Sequence, residues 1–99
     1  GREPVREWLI SLTKNEKKII GEDIKTVQYG WPLGMPLVEK LDKGIWEVRS
    51  RLENKIARVL FTTTEDCIVL LHGFIKKTQK IPQQDLDIAR KRISDIQGG

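Results

Sequence analysis

The stretch that decides the fold is IWEVRSRLENKIARVLFTT, residues 45–63. It is rich in β-branched and aromatic residues, and the polar pair Glu53 and Asn54 interrupts it. This composition predicts a β-hairpin with strands over Ile45–Leu52 and Lys55–Thr63. If the turn consists of those two polar residues alone, the register of the two strands is fixed.

That register gives the hairpin one apolar face. Its cross-strand pairs are Trp46 with Phe61, Val48 with Val59, and Ser50 with Ala57. Because side chains alternate along a strand, these six residues share one side of the sheet. We expect this side to pack against helices.

The opposite face of the hairpin carries charge. Arg49 faces Arg58 there, and Arg51 follows on the same side. Like charges directly opposite each other on a sheet are destabilising, so the pair suggests that both arginines bind an anion. Removing Arg58 is then expected to leave stability unchanged or slightly raised. The alternative is a solvated face with Glu47 as a nearby counter-charge, since surface ion pairs are common and contribute little. A longer turn would offset the two arginines.

Two helices are expected before the sheet. Pro4 suits the first turn of a helix, where its missing N–H group leaves no bond unmade. An apolar stripe at helical spacing follows it: Val5, Trp8, Leu9 and Leu12. Thr13 and Glu16 have the spacing of a capping box that opens a second helix, and Gly30 ends that helix.

The remaining segments complete an α+β domain with a mostly antiparallel sheet. A short strand is expected at Leu37–Leu41, and another from Asp66 to Ile75. Residues 68–71 of the latter are all apolar without alternation, which predicts a central strand covered on both faces. A last helix is expected from Pro82 to about residue 97. Two helices, a sheet and one helix are the order of an α+β fold.

The composition excludes several classes of protein. With 99 residues, 38% hydrophobic and 32% charged, the chain fits one small folded domain. No apolar run approaches the roughly 20 residues that span a bilayer. We expect no signal peptide, because residues 1–3 already carry charge. Cys67 is the single cysteine, so the chain has no internal disulfide, and these features together predict a cytoplasmic protein.

Charge and ligand types bear on the partner. The net charge of +4 is consistent with a polyanionic partner and also with an ordinary soluble surface. One histidine, one cysteine and scattered acids assemble no metal site, and no glycine-rich phosphate loop is present. We therefore expect neither a metal nor another cofactor.

A second basic cluster follows the predicted central strand. His72 is succeeded there by Lys76, Lys77 and Lys80, in a region where loops carry function. Lysines at a strand end are also a common solubility device. His72 is the only histidine, with no evident acid to orient it, and such a histidine is more often a core group than a catalyst. Of the tryptophans, Trp8 and Trp46 lie on apolar faces, whereas Trp31 could stack on a base.

Several segments of the chain resemble one known family. They are residues 2–9 (REPVREWL), 30–36 (GWPLGMP), 46–51 (WEVRSR), 57–61 (ARVLF) and 71–78 (LHGFIKKT). Together they cover nearly the whole chain, and they resemble the phage-derived, HigB-like branch of the RelE/ParE toxin superfamily. The combination of the EVRSR strand with the HGFxKKT segment is the most specific part of this resemblance.

The resemblance implies a RelE-like fold, in which residues 1–99 form one toxin domain with a concave basic surface. Members usually begin with an additional β-strand, which would precede Gly1. They typically cut messenger RNA in the ribosomal A site and are silenced by a cognate antitoxin, often a helix-turn-helix protein. RelE has a tyrosine near its C-terminus that helps in catalysis. Here the only tyrosine is Tyr29, in the helical hairpin, so that role is vacant or filled by another residue.

The implied reaction is metal-free attack by the 2′-OH of the RNA, for which the protein supplies alignment, proton transfer and charge stabilisation. Arg49 and Arg58 would bind the scissile phosphate, and Lys76 or Lys77 would be the general base or a further electrostatic clamp. Further RNA contacts are expected from three residues: Arg51, His72 and Lys80. A ParE-like inhibitor of DNA gyrase and a non-catalytic RNA-binding module are the alternatives. The antitoxin is expected to cover the same arginines.

Overall fold

The computed structural model describes residues 4–32, 37–65, 67–76 and 83–98. Two helices come first, α1 (Pro4–Ile10) and α2 (Lys14–Gly30). Four strands follow: β1 (Val38–Asp42), β2 (Ile45–Arg51), β3 (Ile56–Thr63) and β4 (Ile68–Lys76). Helix α3 (Gln83–Gly98) is the last element. The predicted α+β architecture is confirmed, with element ends within about two residues of the predicted ones.

The N-terminus of α2 is capped by local hydrogen bonds at the position that the sequence predicts. The amide of Glu16 donates to Thr13 Oγ1 at 3.2 Å, and the amide of Thr13 donates to Glu16 Oε1 at 3.0 Å. This reciprocal pair is the predicted capping box. Lys55, beside the β2–β3 turn, places its Nζ 2.8 Å from Glu16 Oε2. The start of α2 is therefore attached to the hairpin as well as capped.

The four strands form one antiparallel sheet in the order β1-β2-β3-β4. The β2–β3 register is the predicted one, with Arg49 opposite Arg58. The prediction of a central position for β4 is wrong, because β4 lies at an edge of the described sheet. Its unbroken apolar run has another cause: α1 packs on one side of this edge strand and α3 on the other.

The larger core lies between the sheet and the first two helices. Val48, Val59 and Phe61 have no exposed surface, and Trp46 packs partly buried beside them, so the predicted apolar face is confirmed. Trp31 packs edge-on against Trp46 and Phe61, with ring centroids 5.3 Å apart in both pairs. Trp31 thus belongs to this core.

Gly73 allows α1 to lie directly on β4. A Cβ atom at this position would collide with the indole ring of Trp8. The absence of a side chain therefore sets how closely α1 approaches the sheet, and it is a requirement of packing rather than of backbone conformation.

Helix α3 covers part of the opposite face. The buried members of this second core are Ile45, Leu60, Leu71 and Ala89. Polar contacts hold α3 beyond them: Arg90 Nε donates to Asp42 Oδ2 at 2.9 Å, at the end of β1. Among the described residues, no helix is both long enough and apolar enough to cross a membrane.

Candidate functional site

The charged residues of the hairpin lie towards one end of the α3 side of the sheet. Alternation along β2 puts Glu47, Arg49 and Arg51 on this side, and the register adds Arg58 from β3. Helix α3 packs at the other end of the same face, over the second core. We call Glu39, Glu47, Arg49 and Arg58 the charged cluster.

A buried carboxylate joins the two opposed arginines. Glu47 has no exposed surface, and its Oε1 accepts from Arg49 Nε at 2.6 Å and from Arg58 Nη1 at 2.5 Å. The second oxygen, Oε2, is buried without a hydrogen-bond partner among the described residues. One carboxylate oxygen therefore bridges two guanidinium groups and offsets the repulsion between them.

The two opposed arginines are neither on a solvated face together nor without a counter-charge. The side chain of Arg58 is 4% exposed and that of Arg49 is 32% exposed. The alternative expectation named the right counter-charge, Glu47, but placed it on a solvated face. A guanidinium taken out of water needs a paired carboxylate, because an uncompensated buried charge is costly. Glu47 fills that role from two positions before Arg49 on the same strand.

Arg49 has a second acidic partner in Glu39 of β1. Glu39 lies opposite Glu47 in the β1–β2 pairing, and its Oε2 accepts from Arg49 Nη2. The Glu39 side chain is 35% exposed, so this ion pair is in contact with water. The hydrogen bond from Arg49 to Glu47, together with the negative charges of both glutamates, raises the pKa of Arg49.

The charged cluster is neutral as a whole, since its two arginines match its two glutamates. Positive charge beyond this balance comes from Arg51, which is exposed at the end of β2. Arg49 and Arg51 line a surface cavity together with Leu37 and Ile56. This cavity is open to a ligand, whereas Arg58 lies beneath the surface.

One of the two lysines predicted to act in catalysis is a residue of the neighbouring strand, β4. Lys76 is the last residue of β4 and pairs with Ile56 of β3. The backbone therefore brings Lys76 to the strand end that also carries Arg51. Lys77 and Lys80 lie outside the described residues, so their predicted roles stay predictions.

His72 has an orienting acid that the sequence did not reveal. Its Nε2 lies 2.6 Å from Asp85 Oδ1, in the first turn of α3, and its Nδ1 lies 3.4 Å from Arg92 Nη1. Arg92 Nη1 also donates to the carbonyl oxygen of Leu71. Both ring nitrogens of His72 face residues of α3, and this geometry favours a role in joining that helix to β4. RNA binding by His72 stays a prediction.

Nothing local in the sequence marks Asp85 as the partner of His72. The two residues are 13 positions apart and belong to different elements. An acid in a first helical turn is common for a separate reason, its interaction with the helix dipole. Among the described residues, no three or more His, Cys, Asp or Glu side chains gather as they would to hold a metal ion.

A comparison with known families supplies the relationship. A family model described as phage derived protein Gp49-like (DUF891) matches residues 7–94. The chain belongs to this family. The Gp49-like family is related to the toxins of toxin–antitoxin systems, RelE among them. No curated protein and no solved structure matches the chain. The range matched in this Gp49-like protein contains the whole charged cluster and the His72–Asp85 pair.

Proposed function

We propose that this Gp49-like protein is the toxin of a type II toxin–antitoxin system and belongs to the HigB-like branch. Its activity in this proposal is that of a ribosome-dependent endoribonuclease acting on messenger RNA. The supporting observation is the arginine arrangement at one end of the α3 side of the sheet. Arg49 and Arg51 line an open cavity there, and Arg58 lies behind them, fixed by Glu47.

The proposed chemistry uses a nucleophile that RNA itself carries. The 2′-OH attacks the adjacent phosphorus, the bond to the 5′-oxygen breaks, and the products are a 2′,3′-cyclic phosphate and a 5′-hydroxyl. One proton leaves the 2′-OH and one is delivered to the departing 5′-oxygen. Guanidinium groups suit the negative charge that develops on the phosphate oxygens. Lys76 or Lys77 takes the part of general base or of a further electrostatic clamp.

The arginines differ in their proposed contributions. Arg51 is exposed and Arg49 partly so, hence these two contact phosphate. Arg58 shares the carboxylate of Glu47 with Arg49, and its proposed contribution is to offset part of that negative charge beside the phosphate. The ribosome supplies the orientation of the substrate that so small a site lacks. Lys80 and His72 remain candidate RNA contacts.

The proposed partners are the ribosome, messenger RNA and a cognate antitoxin, and the proposed location is the cytoplasm. A helix-turn-helix antitoxin with an acidic segment would neutralise the toxin by covering Arg49 and Arg51. Purified toxin and antitoxin should then form a stable complex that no longer binds RNA.

The decisive experiment maps RNA ends on translating ribosomes after induced expression. We expect cuts within codons in the A site for the wild-type chain, and at least about ten-fold fewer for Arg51→Gln, because a hydrogen bond to a charged group is worth roughly 1.5 kcal/mol or more. Lys18→Gln is the matched control, because it removes the same charge from the exposed side of α2. Intact messenger RNA with arrested supercoiling would instead identify a gyrase inhibitor. Ribosomal RNA binding without cuts would identify a non-catalytic module.

A further inference from the structure

Two carboxylates hold the guanidinium of Arg49, and their surroundings differ. Glu47 is fully buried and binds Arg58 with the same oxygen, so it has no water to take the place of the arginines. Glu39 is about one-third exposed, and it contacts Arg49 through a single ion pair at the Nη2 atom. Exposed ion pairs contribute little to stability, so Glu39 can exchange its partner at low cost.

A carboxylate and a phosphate present similar acceptor oxygens to a guanidinium group. Glu47 fixes the Arg49 guanidinium through Nε, which leaves the Nη2 side for a second anion. In the free protein that second anion is Glu39. Arg49 also lines the cavity that it shares with Arg51, so a phosphate that enters this cavity contacts Arg49.

The net charge of the cluster without Glu39 also matches the charge of a phosphodiester. With Glu39 in place, the charged cluster is neutral and offers no net attraction to RNA. Without Glu39, the remaining Arg49, Arg58 and Glu47 carry a single positive charge. A phosphodiester carries a single negative charge and would restore neutrality.

We propose that Glu39 is an internal substitute for an RNA phosphate: it occupies Arg49 in the free protein, and a backbone phosphate of bound RNA replaces it. The inference rests on the proposed function, because RNA is named as the source of the phosphate. Glu39 is accordingly a positioning residue that keeps Arg49 in place before RNA arrives and weakens RNA binding by competing for it.

The test measures the affinity of the full chain for a fluorescent ten-nucleotide uridine RNA by anisotropy, at several salt concentrations. Glu39→Gln should tighten binding about five-fold, the upper end of what an exposed ion pair is worth. Glu22→Gln is the matched control, since it removes the same charge from an exposed position on α2, on the other side of the sheet. At about 0.15 M salt its effect should stay below about two-fold, because distant surface charges are screened.

A second pair of variants asks whether Glu39 acts through Arg49. In an Arg49→Gln background, the gain from Glu39→Gln should disappear. Thermal melting of each variant checks that the fold is retained. A purely structural Glu39 would change the melting temperature and leave RNA affinity at the level of the Glu22→Gln control.

Three outcomes overturn the inference: equal affinities for Glu39→Gln and Glu22→Gln, a gain that persists without Arg49, or no binding of the uridine RNA by either the wild type or Glu39→Gln. Failure of the proposed nuclease function looks different. In that case Glu39→Gln tightens RNA binding as expected, while messenger RNA on ribosomes stays intact in cells that express the wild-type chain.

Discussion

The two faces of the sheet are stabilised by different interactions. The face towards α1 and α2 is closed by apolar side chains whose partners follow from strand register and helical spacing. The face towards α3 combines an apolar patch with the charged cluster, where Glu47 and Arg58 are as deeply buried as the core residues Val48 and Val59. Burial on the first face requires only shape and apolar surface, whereas burial on the second also requires matched charge.

The largest expected effect tests that requirement on the α3 side. Glu47→Gln should destabilise the fold by about 3–5 kcal/mol, because it removes the buried carboxylate that pairs with the guanidinium of Arg58. Urea denaturation gives the change in the free energy of unfolding.

The control for this prediction replaces both partners. Glu47→Leu combined with Arg58→Met removes the two charges together, and it should recover most of the lost stability, since apolar residues often substitute for a buried ion pair. A Glu47→Gln protein as stable as the wild type would show that the two faces do not differ in this way.

The next effect probes the apolar side at its tightest contact. Gly73→Ala should cost about 1–3 kcal/mol, because the added methyl group meets the ring of Trp8. Gly21→Ala is the matched control: its Cβ would meet nothing within 4 Å, and it lies inside α2, so it should stabilise by up to about 1 kcal/mol. Thermal melting separates the two. Equal melting temperatures would mean that α1 does not pack closely on β4.

The sequence predicted the apolar strand pairs of the first face but not the place of Trp31 in its core, and it predicted the second face in part. Register alone placed Val48 against Val59 and Arg49 against Arg58, and the structure confirms both pairs. It also placed Glu47 on the same side as the arginines. What it could not give was burial, because burial of Arg58 depends on elements distant in the chain. That missing information reverses the expected sign for removal of Arg58, from neutral or stabilising to destabilising.

Two further differences have the same origin. An apolar strand without alternation reports that both faces are covered, and it says nothing of the order of strands in the sheet. That is why β4 was expected at the centre although it lies at an edge. The contact between His72 and Asp85 joins two elements through one hydrogen bond, and no periodic pattern encodes such a contact.

A smaller effect on the fold distinguishes an exposed arginine from a buried one. Arg51→Gln should change stability by less than about 0.5 kcal/mol, as surface substitutions do, while it lowers cleavage on ribosomes. Arg58→Gln should lower both, since Glu47 loses one of its two partners. Melting temperature and cleavage rate, measured on the same preparations, give the two quantities. Equal losses of stability in both variants would contradict the difference in burial.

The smallest effect concerns pH and the attachment of α3. The hydrogen bond from Arg90 lowers the pKa of Asp42 below its ordinary value of about 4. Because the pKa is lowered, this contact stabilises the fold at a pH above the ordinary pKa. The contribution is lost as the pH falls through the lowered pKa of Asp42. Asp42→Asn should therefore have a lower melting temperature than the wild type at pH 7. The difference between the two melting temperatures should become smaller at acidic pH. A difference in melting temperature that does not change with pH would show that this ion pair is not the cause of the difference.

The single oxygen of Glu47 that serves both arginines also restricts how such a protein can evolve. A mutation at Glu47 removes the carboxylate that the buried guanidinium of Arg58 pairs with, and a mutation at Arg58 leaves the buried carboxylate of Glu47 with one arginine instead of two. Exchange of this pair for apolar residues passes through an intermediate that folds poorly, so lineages can leave the arrangement only by two substitutions in quick succession. Glu39 and Arg51 are in contact with water, so either can change by itself without leaving a buried charge unpaired. Differences in RNA preference among related proteins should therefore arise at the exposed positions, while the pair of Glu47 and Arg58 stays unchanged.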